Sequence, residues 1–418
     1  MDCLLIEGGS RLNGDVEVPS AKNAALPLLC LSLLTEEPVH FTNIPDVADM
    51  RSMLRLLKGL GVERLSSGAL QCAKIASVVA PYEEVKKMRA SILVLGPLLA
   101  RAGAAEVSLP GGCAIGERPV DIHLKGLQAM GATIDLEGGY IKARCKKLKG
   151  CKFVMHFPSV TGTINLVSAA VFAEGETVLE NCAREPEVAE VCDALIKMGA
   201  KITGHGSSTI KITGVNSLKG MTWQIQPDRI QLLTYLGAGA ITGGSIRCFP
   251  YRANAMNAVL QSFREMGCEV VEGANDVRLT APSGKLKSIQ IETAPFPGFP
   301  TDAQAQFMAC LTVASPAGAP SMITEKVFEN RFGHVGELRR MGAQIQVKGN
   351  MAVIEGVEKL SAAHVMASDL RASASLVLAG LAAEGKTKVS RVYHLDRGYE
   401  KLEEKLNAVG AKVRREKE

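Results

Sequence analysis

The residues in this chain suited to chemistry sit among glycines or at the starts of apolar segments. Cys113 lies in Pro110-Gly-Gly-Cys-Ala-Ile-Gly-Glu-Arg-Pro-Val-Asp121, with Arg118 five residues further on. Glycines there permit unusual backbone angles and close approach of a ligand. A guanidinium favours anionic substrates, and it would lower a thiol pKa if it lay close. A turn that merely houses an inert thiol has the same composition. A second series is Lys22, Arg89, Gly162, Arg229, Asp302 and Arg371, at gaps of 67, 73, 67, 73 and 69. Four of these six are cationic, and each opens an apolar run. Helix N-termini carry partial positive charge and free N–H groups, so they collect anions. The pattern points to an anionic substrate held at converging helix starts.

Single members of the set have plainer readings. Asp302 could cap the helix that it opens, and Arg397, in Asp396-Arg-Gly-Tyr, could be an ordinary charge at a helix start. His123 and His394 are candidate acid–base groups, but imidazoles on helices or strands are more often structural, so both rank below Cys113. Glu187 and Glu329 could stand behind the cationic cluster.

The elements that position these residues are read from a repeat. Leu60-Gly-Val, Met130-Gly-Ala, Met198-Gly-Ala, Met266-Gly-Cys, Met341-Gly-Ala and Val409-Gly-Ala place glycines at 61, 131, 199, 267, 342 and 410, with gaps of 70, 68, 68, 75 and 68. Six units of near-constant length identify a repeat architecture. Apolar positions Met256, Val259, Phe263 and Met266 precede one glycine. Val188, Val191, Leu195 and Met198 precede another, and Tyr399, Leu402, Leu406 and Val409 a third. The 3, 4, 3 spacing predicts one apolar face of a helix, and the glycine suits the left-handed position that ends it. The methionines of these phrases belong to the core. Each unit also holds a helix that is apolar or small on nearly all sides: 24–34, 90–100, 164–173, 230–241, 303–314 and 372–383. Such helices must be buried all round. Alternating strands such as Thr177-Val-Leu-Glu would face water on one side. Three units close one globule, and six make two with a cleft between them.

Bulk composition sets the outer limits. The 418 residues exceed one ordinary core, and 47% hydrophobic with 22% charged residues is globular. Only 4% aromatic residues speaks against a base-stacking nucleic-acid surface. A net charge of +5 permits a cationic cleft without demanding a polyanion. Eleven cysteines without a Cys-x-x-Cys pair suit a reducing cytosol rather than a disulfide framework or thiolate metal site. The start lacks a signal-peptide pattern, and apolar runs stop short of the roughly 20 residues that span a bilayer. A cytoplasmic protein is expected.

Several segments together resemble the enolpyruvyl transferases that act on UDP-N-acetylglucosamine. They are Ser20-Ala-Lys-Asn-Ala-Ala25, the Cys113 segment, Phe299-Pro-Thr-Asp-Ala-Gln-Ala-Gln306, Phe328-Glu-Asn-Arg-Phe332, Asp369-Leu-Arg-Ala-Ser-Ala374 and Asp396-Arg-Gly-Tyr-Glu400. The likeness runs end to end. It implies a two-domain inside-out α/β barrel of six βαβαββ-type units, three per domain. The expected domains are 22–229, carrying the Cys113 loop, and 1–21 with 230–418. The implied reaction moves the enolpyruvyl group of phosphoenolpyruvate to the sugar 3-hydroxyl, releasing phosphate through a tetrahedral ketal, as the first committed step of peptidoglycan precursor synthesis. That chemistry needs an acid, a base and an anion clamp but no redox cofactor and no metal. The expected partners are the two small substrates, with no nucleic acid, membrane or obligate protein partner.

By the same resemblance Cys113 is the acid that protonates the methylene carbon, and its sulfur can capture the enolpyruvyl unit. Asp302 is the base beside the 3-hydroxyl. Lys22, Arg118 and Arg397 hold phosphoenolpyruvate, with Arg371 nearby, and Asn23 touches both substrates. Arg89, Arg118, Pro119, Val120, Asp121, Ile122, Ser159, Val160, Asp302 and Val327 line the nucleotide-sugar site. Phe157 departs from the pattern, since many members have a lysine there that contacts the diphosphate. Asp228-Arg-Ile-Gln-Leu-Leu-Thr234 differs from the commoner Glu-containing version, and three extra residues fall within Ser315 to Ser321. A thiol at 113, where some members carry Asp, implies alkylation by an epoxide mimic such as fosfomycin. The alternatives are a shikimate 3-phosphate carboxyvinyl transferase, though that family has Lys-Ser where this chain has Lys22-Asn23, and an inactive paralogue that binds nucleotide sugars.

Overall fold

All six repeated glycines adopt left-handed angles, with φ of 112° at Gly61, 92° at Gly131, 104° at Gly199, 92° at Gly267, 89° at Gly342 and 104° at Gly410. Each follows an amphipathic helix: Ala48–Leu60, Asp121–Ala129, Pro186–Lys197, Asn257–Glu265, Val335–Arg340 and Leu402–Ala408. A residue with a Cβ is disfavoured at such angles, so glycine is what lets the helix stop and turn. The computed structural model describes residues 2–110, 120–315 and 318–417; Cys113, Arg118 and Pro119 lie outside them.

The unit between residues 152 and 213 shows how a repeat is built. Lys152–Val154 and Glu176–Glu180 pair in parallel, with the helix Val160–Ala170 between them in the chain. The helix Pro186–Lys197 follows, then Lys201–Thr203 and Thr209–Thr213. Thr209–Thr213 is antiparallel to both Glu176–Glu180 and Lys201–Thr203. Six four-stranded sheets are present among the described residues. Three draw a strand from elsewhere in the chain. Asp2–Glu7 lies between Lys386–Ser390 and Lys412–Lys417, with Leu4 opposite Val389 and Arg415. Asn13–Glu17 pairs in parallel with Ser245–Phe249, and Met221–Trp223 with Val39–Phe41. These pairings tie distant parts of the chain within each of two compact units, residues 20–110 with 120–226 and residues 2–19 with 227–417.

Each unit has its own core. In the first, Leu26, Leu28, Leu98, Leu166, Val167 and Leu195 pack in one cluster. In the other, Leu236, Phe263, Phe307, Leu376 and Leu378 do so. The all-round apolar helices are buried as their composition requires, and Arg229–Ile241 hides every residue after Arg229. Three starts differ from expectation. Arg89 opens a 3-10 turn, Arg89–Val94, that leads into Leu95–Ala102, and Asp302 lies in the 3-10 turn Thr301–Ala303 ahead of Gln304–Leu311. Gly162 is the third residue of its helix rather than the first. Tyr399 is buried but precedes the helix Leu402–Ala408.

Close backbone approach fixes another set of glycines. A Cβ would lie 2.1 Å from the Ala383 carbonyl oxygen at Gly8, 1.7 Å from that of Ala173 at Gly214 and 2.2 Å from that of Ala314 at Gly356. In each case a strand end meets the end of a buried helix. Gly214→Ala is therefore expected to destabilise the fold by about 3 kcal/mol or more, the overpacking range when backbone must move. Gly59→Ala, on an exposed helical turn with open space around it, is expected to stabilise by roughly 0.5–1 kcal/mol. Denaturant midpoints of the two variants check both signs.

Candidate active site

In the unit of residues 227–417 the expected base becomes the centre of a charged cluster. Asp302 does not cap a helix: Gln304–Leu311 has no side-chain cap. Its Oδ1 accepts from Arg331 at 2.7 Å and its Oδ2 from Arg371 at 2.9 Å. Both arginines are buried, while the Asp302 side chain keeps 29% exposure. Arg371 is placed by Leu370–Ala382, whose start is capped by Asp369 through the N–H groups of Arg371 and Ala372 at 2.9 and 3.1 Å. Burial alone would raise the Asp302 carboxyl. The guanidiniums of Arg371, Arg331 and Arg229 outweigh it and hold the group well below the usual carboxylate range. The reciprocal field keeps Arg371 firmly charged against its own desolvation. Asp302 shares this ground with Asp228 and Asp369, which cap the helices that carry Arg229 and Arg371, so the arginines are presented in a field that several carboxylates balance.

Arg331 is a site residue that the sequence does not single out, although it sits in the Phe328-Glu-Asn-Arg-Phe332 motif. The signal was present there, but only geometry shows which side chain of the motif turns inward. Arg397 ends the 3-10 turn Val392–Arg397 and is half-buried, so it is not at a helix start. Val327 is half-buried, and its N–H donates to Glu325 at 2.8 Å. His394 is half-buried; burial and then Arg397 push its imidazole below the usual range. Glu329 is exposed.

In the unit of residues 20–226, Lys22 begins Lys22–Cys30, a helix with no side-chain cap at its start. Its ammonium lies 2.6 Å from Asp49 of Ala48–Leu60, and both are buried. That pair fixes the lysine while offsetting part of its charge. Asn23 and Arg89 are half-buried. Ser159 caps Val160–Ala170, its hydroxyl accepting from the Gly162 N–H at 3.1 Å. A Cβ at Gly162 would lie 2.9 Å from Ile122 Cγ2, so Ile122, Ser159 and Val160 are neighbours. Asp121 meets Lys125 at 3.0 Å and His156 at 3.7 Å. Burial pushes the Asp121 carboxyl up, but Lys125 and His156 bring it down overall. Glu187 is buried near the start of Pro186–Lys197.

His123 has a structural role. The Asn165 amide gives its oxygen to the Gly96 N–H at 2.6 Å, so its NH2 faces His123 Nδ1 at 2.8 Å. Nδ1 is then the acceptor, and Nε2 carries the proton toward Thr161, 3.4 Å away. Burial, aided by Arg89, takes this imidazole down to about 3. It is neutral at physiological pH.

Several of the other thiols are poor nucleophiles. Of the ten cysteines described, eight are buried and Cys145 and Cys151 are half-buried. Burial pushes Cys182 and Cys268 up to about 12 and raises Cys30, Cys192, Cys248 and Cys310 further. Among the described residues no group of His, Cys, Asp and Glu could hold a metal ion, and no helix is long and apolar enough to cross a membrane.

The family model described as EPSP synthase (3-phosphoshikimate 1-carboxyvinyltransferase) matches residues 6–406. A UDP-N-acetylglucosamine 1-carboxyvinyltransferase of Nitratidesulfovibrio vulgaris is 54% identical over 418 residues, covering 99% of each chain. The crystal structure of the enolpyruvyl transferase NikO from Streptomyces tendae superposes with a TM-score of 0.88 at 24% identity, covering 99% of this chain and 98% of that one. EPSP synthase from Acinetobacter baumannii superposes at 0.75 with 19% identity over both chains in full. At these identities the two structures speak for the fold alone. The full-length relative and the family model together make this chain a member of the enolpyruvyl transferases, of the UDP-N-acetylglucosamine 1-carboxyvinyltransferase kind.

Proposed function

We infer that this chain transfers the enolpyruvyl group of phosphoenolpyruvate to the 3-hydroxyl of UDP-N-acetylglucosamine and releases phosphate. The observation that carries the reading is 54% identity over the whole length to an enzyme of that name. The sugar oxygen bonds to the enol carbon while the methylene carbon takes a proton. The resulting ketal then loses phosphate and a methyl proton to restore the double bond. Asp302 is the group proposed to receive the hydroxyl proton. Its two arginines fix its direction and keep it ionised, at the cost of basicity, so its strength as a base depends on how much of that field an anionic substrate neutralises.

Cys113 is proposed as the proton donor to the methylene carbon, with its sulfur able to form a covalent adduct. Lys22, Arg118 and Arg397 are proposed to hold phosphate and carboxylate, with Arg371 contributing charge and Asn23 touching both substrates. Arg89, Arg118 to Ile122, Ser159, Val160 and Val327 are assigned to the nucleotide sugar. Phe157 is exposed beside the Ser159 cap and replaces a charged contact to the diphosphate with an apolar one. The reaction belongs to cytoplasmic peptidoglycan precursor synthesis and so to growth of the cell wall. The domains proposed to carry it are 22–229 and 1–21 with 230–418.

The rival acceptor is shikimate 3-phosphate, the substrate of the enzyme after which the matching family is described. Incubation with phosphoenolpyruvate and each acceptor separates the two. Phosphate release is expected with UDP-N-acetylglucosamine, and release with shikimate 3-phosphate alone would overturn the assignment. Nucleotide-sugar binding without product would mark an inactive relative.

Cys113→Ala is expected to lower turnover by roughly a hundredfold or more, the scale for losing a general acid. Fosfomycin should add to Cys113 and spare the buried thiols; peptide mass mapping reads the site. For pH, a lowered carboxyl pKa keeps the base form present as pH falls. The acid limb of kcat/KM assigned to Asp302 in the free enzyme should therefore lie below the ordinary aspartate value of about 3.9. Removing a cation raises that pKa, so Arg331→Met should move the limb upward. A pH–rate profile of the two proteins gives the sign.

A further inference from the structure

We propose that Glu325 is a positioning residue that sets the Asp302 turn and the Val327 segment together. The inference rests on the roles given above to Asp302 and Val327. Glu325 follows the strand Ser321–Thr324 and is 2% exposed. Burying a carboxylate is unfavourable unless its oxygens are satisfied. Here they take four donors. Oε1 accepts from Thr293 Oγ1 at 2.8 Å, from the Val327 N–H at 2.8 Å and from the Phe328 N–H at 3.1 Å. Oε2 accepts from Thr301 Oγ1 at 2.9 Å. Among the described residues no cation pairs with it. Three donors converge on Oε1 and one on Oε2, which calls for a group with two acceptor oxygens and no donor, as neither an amide nor a hydroxyl is.

The partners explain what the arrangement is for. Thr301 opens the three-residue turn that carries Asp302, and this turn follows a proline and has no side-chain cap. A turn so short does not fix its own orientation. It is gripped instead from both ends of one loop. Glu325, at the loop's start, holds the Thr301 hydroxyl. Arg331, at its end, holds the Asp302 carboxylate at 2.7 Å and reaches the Thr301 carbonyl at 3.5 Å. The same Glu325 oxygen that binds Thr293 also fixes the N–H groups of residues 327 and 328. The backbone that presents Val327 and the turn that presents Asp302 thus share one buried anchor. The anchor itself is tied down by Asn350, whose carbonyl takes the Glu325 N–H at 2.8 Å and whose amide donates to the Glu325 carbonyl at 3.1 Å. Displacing a reacting group by about 1 Å can cost a hundredfold in rate, so such an anchor affects turnover without touching substrate.

The test uses the full chain with phosphoenolpyruvate and UDP-N-acetylglucosamine. Thr301→Val removes only the hydroxyl that reaches Glu325, and Thr301→Ser keeps it. The valine variant should lose about tenfold in kcat while the Kd for the nucleotide sugar changes by less than about twofold. The serine variant should recover kcat to within about twofold of wild type. Glu325→Ala should lower kcat and also weaken nucleotide-sugar binding, because it frees residues 327 and 328; if it does not fold, the Thr301 pair decides the question. Wild-type kcat in Thr301→Val, or failure of serine to restore a loss, overturns the proposal. A fall in Tm with kcat intact does so too, since it marks a purely structural tie. Asp302→Asn separates the two levels. If it loses turnover while Thr301→Val does not, only the anchor is wrong; if it keeps turnover, the role of Asp302 falls and the anchor's with it.

Discussion

A carboxylate clasped by two buried guanidiniums is the interaction on which this structure's chemistry depends. Asp302, Arg331 and Arg371 come from three separate segments of the chain, and each arginine would be a costly buried cation without the shared anion. The pairing fixes where the carboxylate points and guarantees that it is ionised. It also weakens the group as a base, and an arriving anion offsets that effect. In the proposed reaction, an anionic substrate that drew on the same arginines would return basicity to Asp302.

The repeat architecture makes such a cluster affordable. Burying helices of small apolar residues on all sides and putting sheets outside leaves the helix starts as the places where polar groups gather. Ser159, Asp228 and Asp369 cap three of those starts, whereas Lys22, Arg89 and Asp302 stand at starts with no side-chain cap. At two of the uncapped starts a side-chain ion pair is found, Lys22 with Asp49 and Asp302 with its two arginines. Left-handed glycines after the amphipathic helices, and the close approaches at Gly8, Gly214 and Gly356, hold the units to one geometry.

Much of this was legible in the sequence because periodicity reports burial. The Met-Gly-Ala phrases identified the repeat, and the glycine angles follow from the requirement for a left-handed stop. The apolar runs marked the buried helices, yet their starts at Arg89 and Asp302 proved to be 3-10 turns of six and three residues, since such short stretches of tighter winding leave no trace in an apolar pattern. The strands that cross from Asp2–Glu7, Asn13–Glu17 and Met221–Trp223 into sheets elsewhere depend on long-range pairing that local patterns do not encode. The same limit hid Arg331, Asp49 and Glu325. Each matters through a partner distant in sequence, and nothing in its immediate neighbours announces that partner. Resemblance, not spacing, singled out Asp302 over an ordinary helix cap, and the ion pairs then removed the cap reading.

The most direct check of the central claim is the titration of Asp302 itself, followed by the carbon chemical shift of labelled aspartate carboxyls with Asp302→Asn for assignment. The account requires the Asp302 signal to remain that of a carboxylate through the range near pH 3.9 where ordinary aspartates protonate. A signal that titrates with the exposed aspartates, or above them, would contradict it, because the two arginines would then not govern the charge on which the site is built.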